Sequence, residues 1–430
     1  MQKKKLAGLI LAGLLSLNSM NLVQAAFGEG TQNHMQILWE NAEYNPHLND
    51  PVAAQDSTIV RVTGGKIRGS LQNGIYQYLG VPYAEAKERF VKASPVTSWK
   101  GVKDATAYGP IAPQYLFGSN QLITDVATSN NNQNLNIWTP SIKKGEKKPV
   151  MVWFHGGGYV SGSANEGWYD GENLAKKGDV VVVAVNHRLN VLGHLDLSAY
   201  GEKYKDSANV GSMDMVDALK WIKKNIASFG GDPENVTIFG ESGGGAKVLE
   251  LMSAPSAKGL FQKGIVESGT ARTTGGHFTP VAISREATAE TLRNLNIQPS
   301  EIEKLQTIPV EKLMEASDKA MATVAARHKI PDSLNTGYGL MLQPVSGTDF
   351  LPTDPVTKDG FAESGKNVTL LMGTNLNEFT TIFPTTKYKN MTDEQKKLYA
   401  KAYPNEDPAG AENVDVMFRP TSLEVLNHKA

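Results

Sequence analysis

Residues 236–252 read VTIFGESGGGAKVLELM, and this stretch contains the pattern that decides the fold. The β-branched and aromatic run at 236–239 predicts a strand, and the apolar run at 246–252 predicts a helix. The turn between them is so tight that it puts its middle residue, Ser242, into strained backbone geometry and requires glycines beside it. Such a turn holds Ser242 Oγ out over the end of a sheet, which is where a nucleophile is expected.

A second glycine cluster, His155-Gly156-Gly157-Gly158, follows another apolar run at 150–154. When an ester carbonyl is attacked, negative charge develops on its oxygen, and fixed backbone N–H groups about 3 Å away stabilise that charge. We therefore predict an oxyanion hole made by the N–H groups of Gly157, Gly158 and Gly243, the residue after the nucleophile.

The rest of the chain indicates an α/β fold. Further β-branched runs lie at 180–185 and 368–372, and a helix is predicted between them because Met215, Leu219, Ile222 and Ile226 are spaced by four, three and four residues. Strands that alternate with helices favour a mostly parallel central sheet with helices on both faces. Short antiparallel hairpins are predicted around Gly64-Gly65 and Asn73-Gly74, and an inserted helical cap at 275–330.

Composition limits the classes of partner. The 43 basic and 44 acidic side chains of the 430-residue chain nearly cancel, so no overall charge attracts nucleic acid or an anionic membrane. A small-molecule substrate is the expected partner, and no cofactor and no metal are predicted. The chain has no cysteine, so an exported form would be stabilised by its core alone.

The N-terminus predicts a signal peptide at residues 1–25, and a secreted or periplasmic protein. Lys3, Lys4 and Lys5 precede an apolar stretch at 6–17, and Val23-Gln24-Ala25 forms a small-residue cleavage site. The apolar stretch is shorter than the roughly 20 residues of a membrane span, so no stable membrane anchor is expected. We interpret residues 26–57 as an irregular arm and residues 58–430 as the catalytic domain.

Several motifs, in order, resemble the type B carboxylesterase (cholinesterase-like) family from about Val60 to the C-terminus. This resemblance implies the α/β-hydrolase fold, with a catalytic triad of Ser, Glu and His in that chain order. The matching segments are Gly80-Val81-Pro82-Tyr83-Ala84, Arg89-Phe90, residues 135–140, His155-Gly156-Gly157-Gly158, Asn186-His187-Arg188-Leu189, residues 229–244, and Gly373-Thr374-Asn375 followed by Glu378.

Carried over residue by residue, the resemblance implies that Ser242 is the nucleophile and that Gly157, Gly158 and Gly243 form the oxyanion hole. It also implies that Glu378 is the acid that orients the histidine. A strand is predicted just before Glu378, and such an acid belongs at the carboxyl end of a strand. The alternative for Glu378 is a solvated loop carboxylate. For Glu241, next to the nucleophile, we predict a structural, hydrogen-bonding role.

The triad order requires a histidine after Glu378, and of the eight histidines only His428 qualifies. His428 is third from the C-terminus, where chains usually fray, so we do not expect it to be the base. In the family, the segment resembling residues 415–420 is followed by another strand and then by the histidine loop. The sequence as given therefore predicts a chain that lacks both and has little activity on its own.

The leading functional hypothesis is ester hydrolysis through an acyl-enzyme formed on Ser242. Two alternatives remain open. One is a non-catalytic cholinesterase-like protein that uses the same fold for binding. The other is a peptidase on this fold, because esters and amides share the chemistry.

Overall fold

A mixed sheet forms the centre of the molecule. The computed structural model describes residues 51–115, 122–270, 277–330, 340–376, 378, 391–402, 404 and 418–430. The predicted signal peptide and most of the predicted arm therefore lie outside the described residues. The strands are β1 Val60–Val62, β2 Gly65–Arg68, β3 Ser70–Gln72, β4 Ile75–Pro82, β5 Ala84–Glu85, β6 Ser94–Pro95, β7 Val102–Asp104, β8 Asn134–Thr139, β9 Lys148–Phe154, β10 Val181–Val185, β11 Gly231–Glu241, β12 Lys263–Glu267, β13 Thr279–Pro280, β14 Val345–Ser346, β15 Val356–Thr357, β16 Gly360–Phe361 and β17 Thr369–Gly373.

The helices lie between and after these strands. They are α1 Glu172–Gly178, α2 Asn190–His194, α3 Val210–Asn225, α4 Gly243–Ser253, α5 Val281–Asn294, α6 Val310–Arg327, α7 Asp393–Ala402 and α8 Arg419–Lys429. The predicted helix around Met215 is α3, and the helix predicted after Ser242 is α4.

The central sheet has the strand order β17-β12-β11-β9-β10-β8-β4-β3. Its first five strands are parallel to one another, whereas β8, β4 and β3 are added antiparallel. The prediction of a mostly parallel sheet is confirmed. The predicted hairpin at Asn73-Gly74 joins β3 to β4, and both of its turn residues have positive φ, 51° and 83°.

Helices cover both faces of this sheet, as predicted. Strand β10 shows this best, because all five of its residues are buried and its side chains alternate between two apolar clusters. Val181, Val183 and Val185 pack in one cluster with side chains of α3 and α4. Val182 and Ala184 pack in another cluster with Ala175 of α1.

The predicted helical insertion is also present, between β12 and β17. Helices α5 and α6 pack against each other and bury a separate apolar cluster that includes Leu292, Leu313 and Val324. Leu192 of α2 belongs to the same cluster, so the insertion packs on the main sheet domain through α2.

Strand β12 was not predicted from the sequence. Its residues, Lys263-Gly264-Ile265-Val266-Glu267, include only two β-branched side chains, with a glycine and charged ends. The strand forms because it fills the gap between β11 and β17, with which it pairs in parallel. Its position matters for the site, since it separates Ser242 from Glu378.

Candidate active site

Ser242 occupies a strained turn between β11 and α4. Its φ and ψ are 54° and −123°, a combination that non-glycine residues rarely adopt. Side chains on the neighbouring residues would collide with backbone. A Cβ on Gly240 would lie 2.5 Å from the carbonyl carbon of Gly244, and one on Gly244 would lie 2.0 Å from Phe154 O. The glycines of the sequence pattern are therefore required by close backbone contacts, as predicted.

The loop after β9 brings Gly157 and Gly158 to the same place. A Cβ on Gly243 would lie 2.4 Å from Gly158 Cα, so the loop and the start of α4 are in direct backbone contact. None of the N–H groups of Gly157, Gly158 and Gly243 donates a hydrogen bond to an acceptor in the described part of the chain. Three unpaired donors thus lie close together beside Ser242.

Glu378 lies past the end of β17 with a buried carboxylate, so it is not a solvated loop residue. Its Oε1 accepts a hydrogen bond from the backbone N–H of Asn375 at 2.8 Å and another from the hydroxyl of Ser268. Ser268 directly follows β12, and its own φ is positive at 49°. Sequence reasoning missed Ser268. The small pair Ser268-Gly269 after a strand was the available signal, but β12 had not been recognised.

The strand order explains how these groups come together. Ser242 N donates to Glu267 O at 2.9 Å, and Ser268 N donates to Gly373 O at 2.8 Å, so the carboxyl ends of β11, β12 and β17 are level. Two strand spacings separate the carboxyl ends of β11 and β17 by about 10 Å, and the Glu378 carboxylate reaches back to Ser268 at the end of β12 between them. Strand β9, with the glycine loop, lies on the other side of β11. The donors, the nucleophile and the acid therefore follow one another along one edge of the sheet.

Glu241, next to the nucleophile, is exposed. Its carboxylate has no hydrogen-bond partner among the described residues, so its structural, hydrogen-bonding role stays a prediction. Local desolvation and then repulsion from the carboxylates of Glu378 and Glu267 raise the pKa of Glu241 to about 7. A carboxyl group of raised pKa thus lies next to the nucleophile.

Two buried histidines lie beneath the site, and neither is placed as a base. The rings of His155 and His187 stack with centroids 5.1 Å apart, and each Nδ1 donates to a nearby backbone carbonyl at 2.9 Å. Burial, followed by the positive charge of Lys247, holds the pKa of both rings well below the usual range, so they are neutral. Their roles are structural hydrogen bonding and packing.

His428 is exposed on α8, and its Nδ1 contacts the carbonyl oxygen of Glu424 at 2.8 Å. The described partners of the Glu378 carboxylate are Ser268 and Asn375, and no histidine of the described ranges is among them. The structure thus brings together Ser242, Glu378 and the three glycines, but does not bring His428 to them.

Neither a metal centre nor a membrane span is found in the described ranges. They hold no group of three or more His, Asp or Glu side chains arranged to bind a metal. None of the helices there has the length and apolar character that crossing a bilayer requires.

The chain is similar to known proteins over much of its length. The model of the carboxylesterase family matches residues 56–419. The para-nitrobenzyl esterase of Bacillus subtilis is 38% identical over 333 residues, covering 74% of this chain and 63% of that protein. Phenmedipham hydrolase of Pseudarthrobacter oxydans is 41% identical over 217 residues, covering 49% of this chain and 42% of that protein. The chain thus spans less than two thirds of the length of either relative.

Among solved structures, an esterase from Clostridium hathewayi that can hydrolyse aliphatic aromatic polyesters superposes with a TM-score of 0.73 at 34% identity. The match covers 88% of this chain and 78% of that one.

Proposed function

Because the chain belongs to the carboxylesterase family, we propose that it hydrolyses small-molecule carboxylic esters, with Ser242 as the nucleophile. The observation that carries this proposal is the placement of Ser242. It stands in a strained turn with three unpaired backbone donors on one side and the buried carboxylate of Glu378 on the other.

The proposed reaction has two steps. Ser242 Oγ attacks the ester carbonyl carbon while a base removes the hydroxyl proton, and the carbonyl oxygen becomes an oxyanion held by the N–H groups of Gly157, Gly158 and Gly243. The tetrahedral intermediate collapses, and the alcohol leaves with that proton. Water then attacks the acyl-enzyme by the same route, which releases the carboxylic acid and restores the serine.

Glu378 has the role of orienting the base in this scheme. An imidazole between Glu378 and Ser242 would donate one ring N–H to the carboxylate and accept the Ser242 proton on its other nitrogen. Asn375 N and Ser268 Oγ already fix the carboxylate, since both donate to it. We propose that this imidazole is not that of His428.

Turnover of short-chain p-nitrophenyl esters, compared with a peptide p-nitroanilide, tests the proposal. The protein should be expressed from its complete reading frame. We expect measurable ester hydrolysis at least ~10²-fold faster than anilide hydrolysis. Equal or faster anilide hydrolysis would indicate a peptidase. A folded protein that cleaves neither substrate would indicate a binding protein and would contradict the proposal.

Replacing Gly157 with valine should lower kcat for ester hydrolysis by ~10²-fold or more, because it displaces donors to the oxyanion. Gly157 has a φ of +81°, and a Cβ there would lie 2.5 Å from Ser161 O, so the loop must move. Steady-state kinetics measure the effect. Gly145→Val is the matched control, since Gly145 also has a positive φ of +92° but open space around it. An unchanged kcat in Gly157→Val would remove this loop from the site.

Replacing His428 with alanine should leave ester turnover within ~2-fold of the unsubstituted protein, because its ring is exposed and bonded to its own helix. The pH profile should also be unchanged. If His428→Ala abolished turnover, His428 would be the base, and the position given to it here would be wrong.

A further inference from the structure

Lys247 is an unusual residue for the buried face of a helix. It lies one turn into α4, its side chain is 0% exposed, and its Nζ donates to the backbone carbonyl oxygen of His155 at 2.7 Å. Burial lowers the pKa of Lys247 to about 7, against the opposing effect of the Glu250 and Glu166 carboxyls. Burying an amine is costly, whereas an apolar side chain would fill this space at lower cost. Its clearest gain is the contact with the glycine loop.

The geometry of the peptide bond makes that contact significant. In a trans peptide the C=O and the following N–H point in opposite directions, so a hydrogen bond to the carbonyl also fixes the direction of the N–H. Gly156 O accepts from the His155 ring at 2.9 Å, which sets the N–H of Gly157. Gly157 O accepts from Ser161 N at 3.1 Å, which sets the N–H of Gly158.

Lys247 binds the carbonyl just before these two. Three successive peptide planes run from His155 to Gly158, and the His155 carbonyl belongs to the first of them. Fixing this carbonyl therefore fixes where the next two planes, which carry the N–H groups of Gly157 and Gly158, begin. Helix α4 also supplies the third donor, Gly243 N–H, at its first residue. The amine therefore links the loop that carries two donors to the helix that carries the third.

We propose that Lys247 is a positioning residue. Its hydrogen bond to the His155 carbonyl joins α4 to the glycine loop, and so keeps the three N–H donors of the oxyanion hole in fixed positions relative to one another. This proposal rests on the function proposed above for Ser242. Lys247 itself touches neither substrate nor the reacting atoms.

The groups around the amine fit this role. The Glu250 carboxyl lies one turn further along α4, beside the hydroxyls of Ser212 and Tyr159 but outside hydrogen-bond geometry, and burial raises the pKa of Glu250 to about 7. The Tyr159 ring lies with its centroid 5.6 Å from Nζ. An amine keeps N–H donors whether or not it is protonated, so the hydrogen bond from Lys247 to His155 O does not depend on the charge of the amine.

Lys247→Met tests the proposal, because methionine fills the space of the lysine side chain as far as Cε but has no donor. We expect amide hydrogen exchange in peptides covering 155–161 to become at least ~10-fold faster, while peptides of β10 and β12 keep their protection. In kinetics, kcat for p-nitrophenyl esters should fall ~10- to 100-fold with KM within ~2-fold, since the donors act mainly in the transition state.

Lys223→Met is the matched control. Lys223 Nζ also donates to a backbone carbonyl, that of Gly259 at 2.9 Å, but on the exposed side of α3. It should change neither exchange at 155–161 nor kcat. If Lys247→Met does not fold, Lys247→Leu provides the same comparison, because leucine also lacks a donor and has a shorter side chain.

The two readouts separate the possible failures. If the protein has no esterase activity, the proposed function fails, while exchange at 155–161 still decides whether Lys247 holds the loop. Unchanged exchange and unchanged kcat in a folded Lys247 variant would overturn the proposal. Faster exchange at 155–161 with an unchanged kcat would also overturn it, because the hydrogen bond from Lys247 would then have no part in catalysis.

Discussion

Replacing Ser242 with alanine is expected to lower kcat/KM for ester hydrolysis by at least ~10⁴-fold, because the reaction loses its nucleophile and retains only oxyanion stabilisation. The fold should be retained. The strained φ of 54° remains with alanine, and Ser242 Oγ makes no hydrogen bond to the described residues. Steady-state kinetics and a melting curve measure the two effects.

Ser228→Ala provides the control for this substitution. Ser228 is half-buried and donates to Arg61 O at 2.8 Å, away from the carboxyl edge of the sheet. Its kcat/KM should be unchanged. Retention of more than a tenth of the activity in Ser242→Ala would show that another group is the nucleophile.

Replacing Asp214 with alanine is expected to lower the free energy of unfolding by about 3–5 kcal/mol, since it leaves a buried guanidinium without its counter-charge. The Arg188 and Asp214 side chains are 1% and 0% exposed, and they form a two-pronged ion pair with distances of 2.7 and 2.8 Å. Gln133 also donates to this carboxylate at 2.9 Å. Urea unfolding followed by circular dichroism measures the loss.

Asp217→Ala is the matched control on the same helix, α3. Asp217 pairs with Lys220 at 3.2 Å near the surface, where the lysine side chain is 42% exposed. Its replacement should cost less than about 1 kcal/mol. If Asp214→Ala were equally mild, the interior around Arg188 would be better hydrated than the buried pair indicates.

Much of the fold could be predicted because its pattern is local. The apolar, β-branched runs of β9, β10 and β17 predict strands from their residue types alone. The glycines around Ser242 predict a tight turn that few other structures require. Strand β12 could not be found in this way. With two β-branched residues and a glycine, it takes its conformation from pairing with β11 and β17, and pairing between distant segments leaves little trace in a short sequence window.

The site shows the same division. Ser242, Gly157, Gly158 and Gly243 belong to two local motifs, and the structure places them together as expected. The hydrogen bond from Ser268 to Glu378 joins residues 110 positions apart, across a strand that the sequence did not reveal. Lys247 could not be found from the sequence for another reason. In a sequence, a lysine on a helix is normally a surface residue, and only the structure shows that its amine ends at a peptide carbonyl.

Trapping the acyl-enzyme tests the central claim most directly. The protein is mixed with a p-nitrophenyl ester, quenched with acid during turnover, digested and analysed by mass spectrometry. We expect one acyl group per chain, attached to Ser242, and none in Ser242→Ala. Two results together would contradict Ser242 as the nucleophile. The ester would be hydrolysed with no acyl group on Ser242 at any quench time, and Ser242→Ala would hydrolyse it at an unchanged rate.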